Sequence, residues 1–284
     1  MKLLKRLSVL AVAAALPLTA DAHRAWMLPS STVLSGDAPW VTVDAAAANG
    51  IFYFDHFPMM LEGVGTPPAD SNRQPAPLTI TAPDGSEVAP QNGHLGRLRS
   101  SFDLQLEQKG TYKIAIANSG RVMGMYELNG ERQRVMGSLD DIIKQIPADA
   151  EKVNIIRSDS RMELFVTSGN PTEEVLNPSG QGLELQPVTH PNDLYADEAA
   201  EFVFLLDGQP APGLEITLIP AGSRYRDSEQ ARELTTDADG KVSIEWGQAG
   251  LFWLEAEYKQ TEGLEAPVTQ RRASYSTTLE VLAP

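Results

Sequence analysis

The sequence predicts an all-β protein built as two consecutive antiparallel β-sandwich units, Ig-like or transthyretin-like, with one short helix. Three observations carry that reading. Short runs that alternate or stay apolar, such as WVTVDAA (40–46) and EFVFLL (201–206), recur along the chain. Turn chemistry punctuates them, as in PDG at 83–85, QKG at 108–110 and TDADG at 236–240. A weak internal repeat sets PDGSEV and FDLQLEQKGTYKIAIA in the first half against ADGKVSIEWGQAGLFWLEAEY in the second.

The chain opens with MKLLKRLSVLAVAAALPLTADA. Lys2, Lys5 and Arg6 precede an apolar stretch, and Ala20 and Ala22 stand at the small-residue positions of an A-x-A site. That order is the signature of a secretory signal peptide over residues 1–22. Its apolar run is about a dozen residues, short of the roughly twenty a membrane-spanning helix needs. A retained anchor is the alternative. No other run approaches that length, so no permanent membrane insertion is expected.

Strands are then expected at 40–46, IFYF (51–54), PLTITAP (77–83), FDLQLE (102–107), TYKIAIA (111–117) and MELFVTSG (162–169). SLDDIIKQIP (138–147) reads as a helix. Ser138 caps it with Asp141 three residues on, Leu139, Ile142, Ile143 and Ile146 share a face, and Pro147 ends it. Residues 169–182, rich in Gly, Pro and Asn, read as a linker. It divides an N-terminal unit (23–178) from a C-terminal unit (179–284). The second unit should hold strands at 183–188, 201–206, 214–220, 231–236, 241–246, 251–258 and 274–282.

Cleavage after Ala22 leaves 262 residues, enough for two ordinary domains. Removing Lys2, Lys5, Arg6 and Asp21 leaves 20 basic against 37 acidic side chains, a net charge of −17. That balance repels nucleic acid and anionic surfaces and tolerates a cation. The chain contains no Cys, so disulfides, thiolate metal sites and Cys nucleophiles are excluded together. An exported Cys-free chain points to a bacterial periplasm. TDADG offers no EF-hand, because Thr235 and Trp246 stand where the loop needs carboxylates.

The same cleavage makes His23 the first residue. A free α-amine and the imidazole of one residue can then grip one divalent transition metal, Ni, Co, Cu or Zn. The amine titrates near pH 8, so a metal displaces its proton readily. The plain alternative is a frayed terminus. Trp26, Met27, Leu28 and Pro29 follow at once and argue for a packed segment. Of the other three histidines, His56 is the first choice of partner. It sits at the end of an aromatic run beside Asp55, which is placed to ligate or orient it. Its other reading is a ring packed on Phe54 or Phe57. His190, held extended before a proline, joins the site only if it lies at the seam between the units; otherwise it is a turn residue. His94 reads as exposed loop. Met27, Met59 and Met60 are soft Cu(I) donors or, more simply, core filler.

HRAWMLPS after the A-x-A site, IFYFDHFP, GLELQPVTHPNDLYADE, LDGQPAPGLEITLIP and LTTDADGKVSIEWGQAGLFWLEAEY together resemble a family of exported bacterial proteins. It is classed as a domain of unknown function and is similar to the periplasmic components of nickel/cobalt uptake transporters. The resemblance implies a two-part β-sandwich that binds or delivers a divalent transition metal, with a metal-uptake transporter or outer-membrane receptor as partner. It carries over only His23 as a site residue. Copper enzymes that cleave polysaccharides oxidatively also use an N-terminal histidine on a β-sandwich, and they form the second reading. A structural or adhesive sandwich is the third. No G-x-S-x-G elbow, P-loop or H-E-x-x-H motif is present.

Overall fold

The computed structural model describes residues 23–71 and 73–284; the expected signal peptide lies outside them. The strands in chain order are β1 (Arg24–Pro29), β2 (Val33–Leu34), β3 (Trp40–Ala48), β4 (Phe57–Pro58), β5 (Leu78–Thr81), β6 (Gln91–Leu95), β7 (Ser100–Gln105), β8 (Gly110–Leu128), β9 (Glu131–Gly137) and β10 (Glu151–Ser168). After them come β11 (Leu183–Pro187), β12 (Ala200–Leu206), β13 (Gln209–Pro210), β14 (Glu215–Pro220), β15 (Arg232–Thr235), β16 (Lys241–Ile244), β17 (Gly250–Gln260) and β18 (Gln270–Val281). The α-helix α1 (Leu139–Gln145) lies between β9 and β10. The chain is all-β with one short helix, as its alternating runs require.

Three sheets make two sandwiches. One sheet has the order β1-β3-β7-β6 with β4 on β3, and another is β11-β12-β13 with β16 on β12. The third, of nine strands, runs β15-β14-β17-β18-β10-β8-β5, with β2 on β10 and β9 on β8, and serves both. Met27, Val43, Phe102 and Leu104 close one core against Ile80, Ile114, Leu164 and Val166. Leu185, Phe202, Phe204 and Ile244 close the other against Ile216, Leu218, Phe252 and Tyr275. Within the nine-stranded sheet the two halves meet in a parallel ladder, where Ile156–Glu163 of β10 pairs with Gln270–Thr277 of β18. This is the one departure from purely antiparallel pairing between the long strands. No local pattern announces it, because the two segments are far apart in the chain.

The seam is polar as well as laddered. Glu163 is buried and accepts from Tyr275 Oη at 3.0 Å and from Arg161 at 3.3 Å. Arg161 also reaches Glu184 at 3.3 Å. Glu184 gathers the backbone N–H groups of Ser179, Gly180 and Gln181. The stretch expected as a linker is therefore tied down. Val175 is buried in a 3-10 turn, and Thr172 exchanges hydrogen bonds with Thr111.

Four local expectations need correcting. Residues 51–54 form a turn instead of a strand: Phe52 adopts φ of +60°, and the rings of Phe52 and Phe54 pack edge-on against Trp26. β8 and β10 run far beyond the runs read from sequence, because with β9 they form an arm whose outer residues are polar or half-exposed. In α1, Ser138 and Asp141 cap as expected, but only Ile142 is buried and Ile143 is exposed, since one narrow stripe meets the sheet. His94, though exposed, lies on strand β6. TDADG is a plain turn in which Asp237 accepts from the backbone of Asp239 and Lys241.

Candidate metal centre

His23 and His56 face each other at one end of the first sheet. Their ring centroids are 3.7 Å apart and their planes differ by 12°. Phe57 stands against both, with centroids 5.6 Å from His23 and 4.7 Å from His56. Both histidines are exposed.

Each ring is delivered by a braced segment. His23 precedes β1, whose six residues pair with Val43–Ala48 of β3. β1 is an edge strand, and unpaired edge groups need partners. The second unit supplies them with side chains. Trp253 Nε1 donates to Ala25 O at 3.2 Å and Thr278 Oγ1 donates to Met27 O at 2.6 Å. The N–H and Oγ1 of Thr32 donate to Glu280 at 2.9 and 2.6 Å. Arg24, next to His23, donates to both carboxylate oxygens of Glu229 and lies 5.6 Å from the Trp253 ring centroid. Beneath these contacts Trp26, Ala46, Ile51, Ile219 and Trp253 form a small dry cluster joining the units.

His56 ends the loop that follows β3. The loop starts with a tight turn in which Tyr53 N donates to Gly50 O, and the Tyr53 ring lies over Gly50. A Cβ at that glycine would stand 2.7 Å from the ring. Tyr53 Oη in turn accepts from Ser223 Oγ at 3.2 Å, and Arg224 covers the Tyr53 ring. The loop that bears Glu229 thus grips the loop that bears His56.

The remaining expected ligands are placed elsewhere. Asp55 turns away from His56 and closes the neck of its loop, accepting from Asn49 N and Nδ2 at 3.3 Å each. His190 does lie at the seam, but beside Thr111, Thr167 and Asn192. That place adjoins Thr32 and β2, which follow β1 in the chain, and not the end of β1 that bears His23. Its Nδ1 accepts from Asn192 N, so Nε2 carries the proton and contacts Thr172 O. Both nitrogens are used, and burial holds its pKa below the ordinary histidine value. Met27 is core filler. Among the described residues no three His, Asp or Glu side chains gather into a metal-holding group.

The local charge is balanced. Arg99 pairs with Asp44 at 3.3 Å and covers Phe54, and Arg73 covers Phe57. Glu255, on the face of β17 that carries Trp253, is pushed up to about 7, first by burial and then by Glu257, against the pull of Arg24. Sequence reading missed the roles of Arg24, Glu229, Trp253 and Gly50. Only Arg24, adjoining His23, carried any local signal.

A profile for a family described as a domain of unknown function, DUF4198, matches residues 20–260. The chain belongs to the DUF4198 family. No curated protein matches the sequence. Among solved structures, the D0–D1 domain of Intimin aligns over 90% of this chain and 97% of its own, at 10% identity and a TM-score of 0.19. A Salmonella alpha-2-macroglobulin reacted with methylamine aligns over 93% of this chain and 15% of its own, at 14% identity and a TM-score of 0.22. The native E. coli alpha-2-macroglobulin aligns over 91% and 14%, at 15% identity and a TM-score of 0.19. Likenesses of that degree carry no argument about function. Among the described residues no helix is long and apolar enough to cross a membrane.

Proposed function

We propose that this DUF4198 chain is a periplasmic protein that binds or delivers a divalent transition metal for uptake, using the α-amine and imidazole of His23 and the imidazole of His56. One observation carries the reading: the two rings lie 3.7 Å apart at the point where the expected mature chain begins. Metal–nitrogen bonds of about 2.0–2.1 Å place two nitrogens on one ion roughly 3–4 Å apart. The ring centroids are 3.7 Å apart, which keeps a nitrogen of each ring within reach of one ion once the side chains turn. Stacked rings direct their in-plane lone pairs side by side, so binding one ion requires the pair to unstack and the rings to turn by roughly 90° relative to each other, a motion open to two exposed side chains. The third donor would be the main-chain amine, which explains why no cluster of three side chains is needed. Nickel and cobalt are the favoured cargo, and copper and zinc suit the same donors.

The test is calorimetric titration of the mature protein, starting at His23, with Ni²⁺, Co²⁺, Cu²⁺ and Zn²⁺. One equivalent should bind tightly. A single extra residue before His23, or His56→Ala, should weaken binding by at least about tenfold, or 1.4 kcal/mol. Unchanged affinity in both variants would remove the reading. Oxygen consumption with a reductant by the copper-loaded protein would move it to the oxidative-enzyme class.

A further inference from the structure

A second group of soft donors lies on the arm, on the face opposite the helix. Met123 of β8 is paired directly with Met136 of β9, and Met125 follows on the same face, opposite Arg134. The intervening Gly124 fixes that orientation, since a Cβ there would meet Ile142, Val135 and Ile146 on the helix side. Directly opposed residues hold their Cβ atoms about 5 Å apart, and neighbours two along a strand stand about 7 Å apart. Flexible thioether side chains on such a frame can converge on one point.

These methionines do not behave as core filler. Met27 and Met162 are 1% and 8% exposed, whereas Met125 and Met136 are 37% and 50% exposed. Met136 is exposed and its sulfur accepts from Arg134 Nη2 at 3.3 Å, so it already acts as a lone-pair donor toward a cation. A hollow of about 400 Å³ beside Met125 is bordered by Arg134, Lys152 and Asn154. Lys152 pairs with Glu127 at 2.7 Å, and Arg132 and Arg134 both stand on the sulfur face, Arg134 directly opposite Met125.

We propose that Met123, Met125 and Met136 form a Cu(I) site. Thioethers are soft ligands that select Cu(I) over harder divalent ions. In a chain without cysteine they are the softest donors present. Arg134 competes for the Met136 sulfur and repels the ion, so it tunes affinity downward. The site is separate from the pair of histidines and takes a different oxidation state, so it neither needs nor supports the nitrogen chelate.

The experiment uses a mature chain whose nitrogen donors are disabled by His56→Ala and one extra residue before His23. Cu(I) is titrated anaerobically under ascorbate against a chromophoric chelator. One Cu(I) per chain should bind, with sulfur as its main scatterer in X-ray absorption. Replacing Met123, Met125 and Met136 by Leu, which keeps their volume, should weaken binding at least about tenfold, and Arg134→Ala should tighten it several-fold. Circular dichroism checks that each variant is folded, and the single Met125→Leu serves if the triple variant is not. Absence of Cu(I) binding in the parent, nitrogen-only scattering, or equal affinity in the leucine variants would overturn the site.

Discussion

Arg24 and Glu229 are joined by one guanidinium nitrogen that donates to both carboxylate oxygens, at 2.7 and 2.8 Å. The contact crosses from the first unit to the second and stands one residue from His23. It is partly exposed on both sides, so its worth to stability is about 0.5–1 kcal/mol. Its larger effect is to fix where the chain's first ring stands. Glu229→Gln should leave the melting temperature nearly unchanged and weaken metal binding several-fold by titration. Equal affinity would show that the Trp253 and Thr278 contacts alone position the strand.

The Gly50 turn sets the other ring. Gly50→Ala places a methyl 2.7 Å from the Tyr53 ring, and that ring is held from outside by Ser223 and Arg224. The loop must shift. Overpacking of this kind costs about 1–3 kcal/mol. Denaturant unfolding should show that loss, and the ring-current shifts of the His23 and His56 protons should collapse in the NMR spectrum.

Glu255 makes stability fall on the alkaline side. Its carboxyl, ordinarily near 4.5, is raised to about 7 in the folded protein. The folded chain therefore holds a proton there that the unfolded chain has lost. This contribution is full below pH 4.5 and disappears as pH rises toward 7. Glu255→Gln should stabilise the protein at pH 8, by on the order of 2 kcal/mol, and change little at pH 4.5. A thermal melt at the two pH values decides it, and an equal effect at both would refute the titration.

His190 acts in the opposite sense. Burial lowers its pKa from the ordinary 6.5, so the folded protein resists a proton that the unfolded chain accepts. Full stability holds above about pH 6.5 and is lost as pH falls below it, levelling off once the folded pKa is passed. The proton would enter at Nδ1, where Asn192 N donates, while Asp193 and Glu173 pull the other way. His190→Gln should lower stability at pH 8 by about 1–3 kcal/mol through the lost seam bonds and flatten the acid limb. Urea unfolding from pH 5 to 8 measures both.

Local rules reached far into the fold. Alternation marked strands such as Trp40–Ala48 and Ala200–Leu206, and Ser138 with Asp141 marked the helix start. They failed at IFYF, which looks like a strand but forms a turn, with the Phe52 and Phe54 rings packed on Trp26 and the Tyr53 ring over Gly50. Of the four candidate ligands, His23 and His56 meet, Asp55 serves its own loop, and His190 is spent at the seam.

By itself the amino-acid sequence determined the all-β class, most of the strands, the absence of thiol chemistry and the interest of His23, because periodicity, turn residues and side-chain chemistry are properties of neighbours in the chain. Only the tertiary structure decided that β10 and β18 run parallel through one sheet, that side chains of the second unit hold the edge of β1, and that His23 meets His56. Those outcomes depend on which distant surfaces bury together. Burial is a property of the whole packed chain, and no window of the sequence contains it.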